Sequence, residues 1–223
     1  MVKRGNHVDL ANVAIRHYFP TPFLTGSLDQ TIVAQVNPRL TKTILLRQTK
    51  DRGAQISNRG GWQSDDRLME WGGDEAKIVL TALTQIVDHS TLMLDQSQGR
   101  YRPQEIDWKV SAWANVNHAG DINIPHSHPG NFWAAVYYVE IEDVGSEEMS
   151  GGELELIDPR GPLPMMYAPK LCIGIKGYEA AGKSELYRPR SGECVVFPAW
   201  LGHSVRPFTG SGRRISIAFN FSI

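Results

Sequence analysis

The stretch IDWKVSAWANVN, residues 106–117, decides the fold because the spacing of apolar residues changes there. It changes from the helical repeat of about 3.6 residues to the strand repeat of 2. Apolar residues such as Ile106, Trp108 and Val110 alternate along it with polar or charged neighbours. Successive side chains of a β-strand point to opposite faces of a sheet, so this alternation predicts a half-buried strand. Residues 105–223 are therefore expected to differ in structure from the segment before them.

Short β-type segments continue from this strand to the C-terminus. They include NFWAAVYYVEIE (131–142), ECVVFPAW (193–200) and RRISIAFNFSI (213–223), each bounded by turn-forming residues. Many short strands in succession are typical of a β-barrel or a double-sheet jelly roll. One of these two architectures is predicted for residues 105–223.

The N-terminal part, residues 1–104, is predicted to be mostly helix and loop, packed outside the strands. GDEAKIVLTALTQIVDH, residues 73–89, has apolar residues at helical spacing. Ser27 is predicted to cap an earlier helix, and Asn37 with Pro38 to begin another, because proline is tolerated in the first turn. The fold class is thus mainly β with flanking helices, an α+β arrangement.

A polar, glycine-rich segment, residues 52–73, interrupts the helical part and is predicted to be a loop. Within it, GGWQS (60–64) is a candidate lid or substrate-recognition element, because loops often carry function. Packing is the expected role of Trp62.

The composition is that of an ordinary globular protein. The chain has 223 residues, of which 41% are hydrophobic and 21% are charged, and its net charge is −1. This length and apolar content predict one domain over residues 1–223. Because there is no basic excess, binding to nucleic acid or to an anionic membrane is not expected.

The cysteines and the N-terminus predict a cytoplasmic protein. Cys172 and Cys194 are too few for a disulfide framework, and both lie in apolar runs typical of a core. The basic N-terminus lacks the apolar run of a signal peptide. No segment has the roughly 20 apolar residues needed to span a bilayer.

Three of the seven histidines are candidate metal ligands. His126 and His128 are two residues apart at the start of a strand, so both side chains can point to one face. Pro125 and Pro129 bracket them and restrict the backbone. His203 begins another strand just after a turn. Three neutral imidazole nitrogens that converge can bind a transition metal.

The last strand offers a carboxylate-binding pair. Arg214 and Ser216 alternate with the apolar residues Ile215 and Ile217, so they lie on one face. A guanidinium donates two parallel hydrogen bonds to a carboxylate, and a hydroxyl can add a third. We call Arg214 and Ser216 the carboxylate clamp.

This constellation resembles the Fe(II)/2-oxoglutarate-dependent oxygenases. Their pattern is H-x-D/E, a tyrosine-containing strand, a GGEL-like turn, a distal histidine and an Arg-x-Ser motif shortly after it. The matching stretches are HSH (126–128), VYYV (136–139), GGELEL (151–156), FPAWLGHSV (197–205) and RRIS (213–216). The chain looks most like a bacterial group labelled 2OG-Fe(II) oxygenases, from about Phe19 to Phe221.

The resemblance implies a metal site with one departure from the family pattern. His126 and His203 match the two usual histidines, and His128 stands where the family has a carboxylate. Alternatives are that Asp121 or Glu153 supplies a carboxylate instead. Three neutral histidines leave both positive charges of a divalent ion in place, and such a site can also retain Zn(II) or Ni(II).

The resemblance also implies the cofactors, the reaction and the fold. Fe(II) would be the metal, 2-oxoglutarate the cosubstrate and O2 the oxidant, giving succinate, CO2 and usually a hydroxylated substrate. The Arg-x-Ser spacing selects Arg214 rather than Arg213 for the carboxylate, with Ser216 beside it. The family often directs a tyrosine hydroxyl toward 2-oxoglutarate, here Tyr138. The core would be a double-stranded β-helix, a jelly roll.

Four further residues are possible members of the pocket. Trp113 and Asn115 share one strand face, and Asn220 lies on the Arg214 face of the last strand. Asn123 precedes the H-x-H motif closely enough to orient it.

Two other functions are compatible with the same residues. One is a three-histidine, cupin-like dioxygenase that needs no cosubstrate, and the other is a non-catalytic jelly-roll binding protein. The clamp of Arg214 and Ser216 favours the 2-oxoglutarate-dependent oxygenase over the cupin-like enzyme, because an enzyme without a cosubstrate has no need of a carboxylate-binding pair. The substrate, a small molecule or a protein, and the oligomeric state are left open by the sequence.

Overall fold

Antiparallel strands dominate the computed structural model, which describes residues 18–142, 151–161, 166–175, 178–180 and 184–223. The helices are α1 (Gln30–Gln48), α2 (Leu68–Trp71) and α3 (Gly73–His89). The strands are β1 (Leu24–Ser27), β2 (Asn58–Arg59), β3 (Trp62–Gln63), β4 (Met93–Asp95), β5 (Arg100–Arg102), β6 (Lys109–Asn117), β7 (Ile122–His126), β8 (Trp133–Ile141), β9 (Leu154–Leu156), β10 (Ile173–Ile175), β11 (Tyr178–Ala180), β12 (Glu185–Tyr187), β13 (Glu193–Pro198), β14 (His203–Val205) and β15 (Arg214–Ser222).

Two antiparallel sheets form the body of the protein. One has the strand order β1-β13-β8-β15-β6-β3, and the other has the order β12-β9-β14-β7-β2. The chain passes from sheet to sheet at each step from β6 to β9 and again from β12 to β15. The mainly β class with few helices is confirmed.

An apolar layer joins the two sheets. Tyr138, Val195 and Phe197 of the six-stranded sheet form one buried cluster with Leu154 of the five-stranded sheet. On its other face, the six-stranded sheet packs against the helices. Leu83 of α3 belongs to the separate apolar cluster on this face. Full burial of one such apolar side chain stabilises the folded state by about 1.5–3 kcal/mol. No helix in the described part of the chain is long and apolar enough to cross a bilayer.

Helix α1 differs from the prediction because it is one continuous helix through Pro38. The predicted start of a second helix at Asn37 is therefore wrong. The cap also differs: Asp29, and not Ser27, precedes the helix, and its carboxylate accepts a hydrogen bond of 2.8 Å from the Thr31 N–H.

Asn37 ties α1 to the six-stranded sheet. Its side-chain amide donates a 2.6 Å hydrogen bond to the carbonyl of Val139, and its oxygen accepts one of 2.6 Å from the Tyr137 hydroxyl. All three residues are buried. These bonds offset part of the cost of an interior proline, about 3 kcal/mol for a helix in general.

The predicted loop, residues 52–73, is only partly a loop. Its strands β2 and β3 pair with β7 and β6, so the segment supplies one edge strand to each sheet. Gly60 and Gly61 make the turn between them with φ of 69° and 62°, a region that other residues rarely adopt. Residues 1–104 thus contribute strands as well as helices.

The two cysteines differ in environment. Cys194 is buried in β13, as predicted, whereas Cys172 is exposed, so its placement in the core was wrong. Both are free thiols.

Candidate metal centre

Three histidines from two neighbouring strands and the segment after one of them converge on one point. His126 ends β7 and is the direct cross-strand partner of His203 in β14, while His128 follows β7. One ring nitrogen of each lies within 4.8 Å of the others. The ring centroids are 4.4 Å apart for His126 and His203, and 5.1 Å and 5.0 Å from His128 to these two. We call these residues the histidine triad.

Backbone carbonyls fix the orientation of two of these rings. The Nδ1 of His126 lies 2.7 Å from the carbonyl oxygen of Ile124, and the Nδ1 of His203 lies 2.8 Å from that of Leu201. A carbonyl only accepts, so each Nδ1 carries the hydrogen and donates it. Each Nε2 is left with its lone pair free for a metal, which is how metal-binding histidines are usually oriented.

His128 is held in a different way. Its backbone N–H donates to the carbonyl of Ala199 at 2.8 Å, and its ring lies 5.7 Å from that of Trp113. Its Nε2 lies 3.2 Å from the Nε2 of His203. Two nitrogens bound about 2.1 Å from one ion at a right angle would be roughly 3 Å apart, so this spacing fits two ligands of a single metal.

Burial keeps the triad neutral. Loss of water contact lowers the pKa of His203 to about 3 and that of His128 to about 4, and in both cases the neighbouring His126 lowers it further. The pKa of His126 is also lowered, again by burial. Neutral imidazoles are the form that binds metal, so these rings need no deprotonation at pH 7.

No carboxylate joins the triad in the described ranges. Glu153 forms an ion pair of 3.4 Å with Arg188, and Asp121 accepts a 2.7 Å hydrogen bond from the His118 N–H. The group of possible metal ligands contains only the three histidines. The alternatives in which Asp121 or Glu153 completes the site therefore do not match the geometry.

The carboxylate clamp is buried in β15. Arg214 and Ser216 are each 2% exposed, and the Arg214 Nη1 donates to the Ser216 hydroxyl at 3.1 Å. The guanidinium carbon lies 5.2 Å from the ring centre of Tyr138. Within the described residues, neither the Nε of Arg214 nor the hydroxyl of Tyr138 has a hydrogen-bond partner. Buried donors without partners can receive an anionic ligand.

Electrostatics at the clamp follow from the same burial. Burial lowers the pKa of Arg214 and raises that of Tyr138 to about 12. Attraction between a guanidinium and a phenolate opposes both shifts. At neutral pH the pair is thus a cation and a neutral hydroxyl, and both groups can donate hydrogen bonds to a ligand.

Arg213 and Tyr137 face away from this site. Arg213 donates to Glu140 at 2.6 Å and to Glu142 at 3.4 Å, and Tyr137 bonds to Asn37 on the helix side. Strand alternation therefore separates each of these residues from its neighbour in the sequence.

Gly152 makes room for the clamp. Its φ is +72°, and a Cβ atom built on it would lie 3.2 Å from the Cδ of Arg214 and 3.0 Å from the ring of Phe208. The predicted GG turn at Gly151 and Gly152 thus leaves the space that the side chain of Arg214 occupies.

A single pocket joins the triad to the clamp. Its empty space, including open solvent at the mouth, is about 510 Å³. The predicted site residues that line it are His126, His128, His203, Arg214, Ser216, Tyr138, Trp113, Asn115 and Asn123. Asn220 is not among the lining residues, although it is 8% exposed and its side-chain oxygen has no partner in the described part of the chain.

Ser57 is a pocket residue that sequence reasoning missed. It lies just before β2, and its hydroxyl accepts a 3.0 Å hydrogen bond from the Asn123 amide. A serine in a polar loop could not be assigned to the pocket, because the loop has no regular spacing of apolar residues from which a buried face is inferred. The apolar lining residues Phe197, Leu154 and Val205 were also not predicted. We call Ser57, Asn115 and Asn123 the polar wall.

The family comparison agrees with this arrangement. Residues 111–220 match the model of a protein family described as "Putative 2OG-Fe(II) oxygenase". Residues 111–220 are thus similar to a 2OG-Fe(II) oxygenase domain. The match covers β6 to β15, and so includes the triad, the clamp and the polar residues of β6 and β7. No curated protein sequence matches the chain.

Solved structures share the fold of residues 111–220 and of the segment before them. A prolyl-4-hydroxylase from Pseudomonas putida is 16% identical, with a TM-score of 0.54 over 91% of this chain and 92% of that one. A prolyl hydroxylase from Trichoplax adhaerens, in complex with a hypoxia inducible factor peptide, is 14% identical, with a TM-score of 0.58 over 90% and 83%. HygX from Streptomyces hygroscopicus, with nickel and 2-oxoglutarate bound, is 14% identical, with a TM-score of 0.52 over 91% and 83%.

Proposed function

We propose that the protein is an Fe(II)- and 2-oxoglutarate-dependent oxygenase that hydroxylates a substrate and releases succinate and CO2. The observation that carries this proposal is one pocket that contains both a set of nitrogen ligands and a buried carboxylate clamp. A metal-binding protein without a cosubstrate has no use for Arg214 at the end of the pocket. The family match supports the same reaction class.

The triad suits a catalytic rather than a structural metal site. His126, His128 and His203 supply three nitrogen ligands, and a catalytic site needs further positions that are open to reactants. Fe(II) and 2-oxoglutarate, when bound, supply the activation of O2 and the oxidative decarboxylation. The three histidines would hold the ion through neutral nitrogens, and no thiolate or carboxylate of the described residues joins them.

The clamp would bind the distal carboxylate of 2-oxoglutarate. Arg214 offers a charged, forked donor, and Ser216 and Tyr138 offer hydroxyls beside it. Because the site is buried, these charge-assisted hydrogen bonds compete with little water. The clamp would therefore both select a dicarboxylate and fix its direction toward the triad.

The strand order supports a double-stranded β-helix. We infer this jelly roll from the eight strands β6–β9 and β12–β15, which are distributed four to each sheet. In such a fold the ends of β7 and β14 lie side by side, and their pairing brings His126 next to His203.

A spectroscopic experiment tests the proposal. Anaerobic addition of Fe(II) and 2-oxoglutarate should produce a visible metal-to-ligand charge-transfer band. Arg214→Met should weaken the affinity for 2-oxoglutarate while iron binding persists, and Arg213→Met is the matched control outside the pocket. Iron-loaded protein that gives no band would exclude 2-oxoglutarate as the cosubstrate.

A three-histidine dioxygenase without a cosubstrate is the second candidate. The lack of a carboxylate in the group of possible ligands favours it. Conversion of 2-oxoglutarate to succinate by the iron-loaded protein would distinguish the two, because only the first candidate consumes the cosubstrate.

A further inference from the structure

The charge of the pocket is the basis of a further inference, which rests on the proposed function. Among the described residues, those that line the pocket include no aspartate or glutamate. Arg214 carries a guanidinium and is cationic, and histidines that bind a metal do so as neutral imidazoles. A divalent ion adds two positive charges, and the dianion of 2-oxoglutarate cancels two. One positive charge is left without a counter-charge.

Three acidic residues in or beside the described strands β9 and β13 already have partners. Glu153 pairs with Arg188, the carboxylate of Glu155 accepts from Ser204, and that of Glu193 accepts from Tyr187. An unpaired charge in a buried site is costly unless a ligand compensates it. The remaining charge thus favours the entry of one further anion.

The polar wall has unused hydrogen-bonding capacity. Asn115 is 8% exposed and lines the pocket, and its side-chain oxygen has no partner within the described residues. Rotation of the amide would present two N–H groups at that position instead. Ser57 accepts a hydrogen bond from Asn123, which leaves its own hydroxyl hydrogen available for donation.

We propose that the primary substrate carries a carboxylate, which cancels the remaining positive charge and is bound by Ser57 and Asn115. His128 is what creates this preference, because a carboxylate at that position would neutralise the site from within the protein. The substrate class is therefore a small carboxylic acid rather than a neutral amide or a nucleic acid.

Acetate and acetamide test the proposal, since they have similar shapes and differ by one charge. Each is titrated into the anaerobic complex of Fe(II), 2-oxoglutarate and protein while the charge-transfer band is monitored. Acetate should bind at least about tenfold more tightly than acetamide, the effect expected of one favourable charge contact. Succinate release should likewise be stimulated by carboxylic acids and not by the matching primary amides.

A variant that adds one negative charge tests the role of charge. His128→Asp supplies the missing negative charge and keeps a metal-binding side chain, so its complex with Fe(II) and 2-oxoglutarate should bind acetate at least about tenfold more weakly than the wild-type complex. Asn115→Leu should also weaken acetate binding, with the affinity for 2-oxoglutarate measured in parallel.

The outcomes separate the two proposals. If the wild-type complex gives no charge-transfer band, the proposed function fails and this inference fails with it. If the band forms and acetate binds no better than acetamide, only the carboxylate inference is overturned. Equal acetate affinity in the wild-type and His128→Asp complexes would overturn it as well.

Discussion

His126 and His203 are direct cross-strand partners, and their ring centroids are 4.4 Å apart. Each ring is held by a hydrogen bond from Nδ1 to a backbone carbonyl two residues earlier in the chain. The two metal-facing nitrogens are thus positioned by the sheet itself. Such preorganisation lowers the cost of binding an ion.

Removal of His203 should abolish most of the metal affinity. We expect His203→Ala to weaken Fe(II) or Ni(II) binding at least about 100-fold, because a buried ligand is lost along with its fixed geometry. Competition with a chromophoric chelator measures this affinity. His89→Ala, at an exposed position that ends α3, is the control and should change nothing. Retained affinity in His203→Ala would remove the triad as the metal site.

A positive charge alone should not be enough for binding at the clamp. Arg214→Lys keeps a cation and loses the forked geometry, so 2-oxoglutarate should bind about 10- to 100-fold more weakly. Ser216→Ala removes one hydrogen bond and should cost about fivefold. Isothermal titration of the metal-loaded protein measures both. Arg213→Lys, on the opposite side of the strand, should bind normally, and a similar loss in all three variants would argue against a specific clamp.

Acid should destabilise the metal-free protein through its buried histidines. The pKa of His203 is about 3 in the folded chain, against about 6.5 in an unfolded one, so the unfolded chain binds more protons between these values. The stabilising contribution is complete above pH 6.5 and is lost as the pH falls toward 3. Between pH 7.5 and 5.5 this histidine should cost about 1.4 kcal/mol of unfolding free energy.

Urea denaturation at the two pH values checks this dependence. His203→Gln lacks the titrating group, so its stability should fall less between pH 7.5 and 5.5 than that of the wild type. An identical loss in both proteins would contradict the low pKa of His203.

Asn37 should be important for stability although it lies outside the pocket. Asn37→Leu would leave the Tyr137 hydroxyl and the Val139 carbonyl without these partners, at about 1–3 kcal/mol for each buried group. Urea denaturation should therefore show a loss of roughly 2–5 kcal/mol. Tyr137→Phe should cost less, and the double variant should be less destabilised than the sum of the two. Additive effects would show that the bonds act independently.

Sequence alternation predicted which side of each central strand faces the pocket. In β15, Arg214 and Ser216 line the pocket, while Ile215 and Ile217 pack on the helix side. This succeeds because side chains in a strand alternate strictly, and because one face of this strand is apolar and the other is not. The family resemblance was also confirmed.

Features that depend on distant contacts were not predictable in this way. Pro38 suggested a helix start, but the packing of α1 against β8 keeps the helix continuous, with Asn37 bonded to residues about 100 positions away. Ser57 reaches the pocket only because β2 pairs with β7. Neither contact can be predicted from the local spacing of apolar and polar residues.

Gly152 connects the GG turn to the clamp. It does not line the pocket, yet a methyl group there would lie 3.2 Å from the Cδ of Arg214 and 3.0 Å from the ring of Phe208. These side chains would have to shift by a few tenths of an ångström, and the φ of +72° would be strained for any residue with a side chain. Residue 152 is therefore a position outside the cavity from which a substitution would disturb the guanidinium.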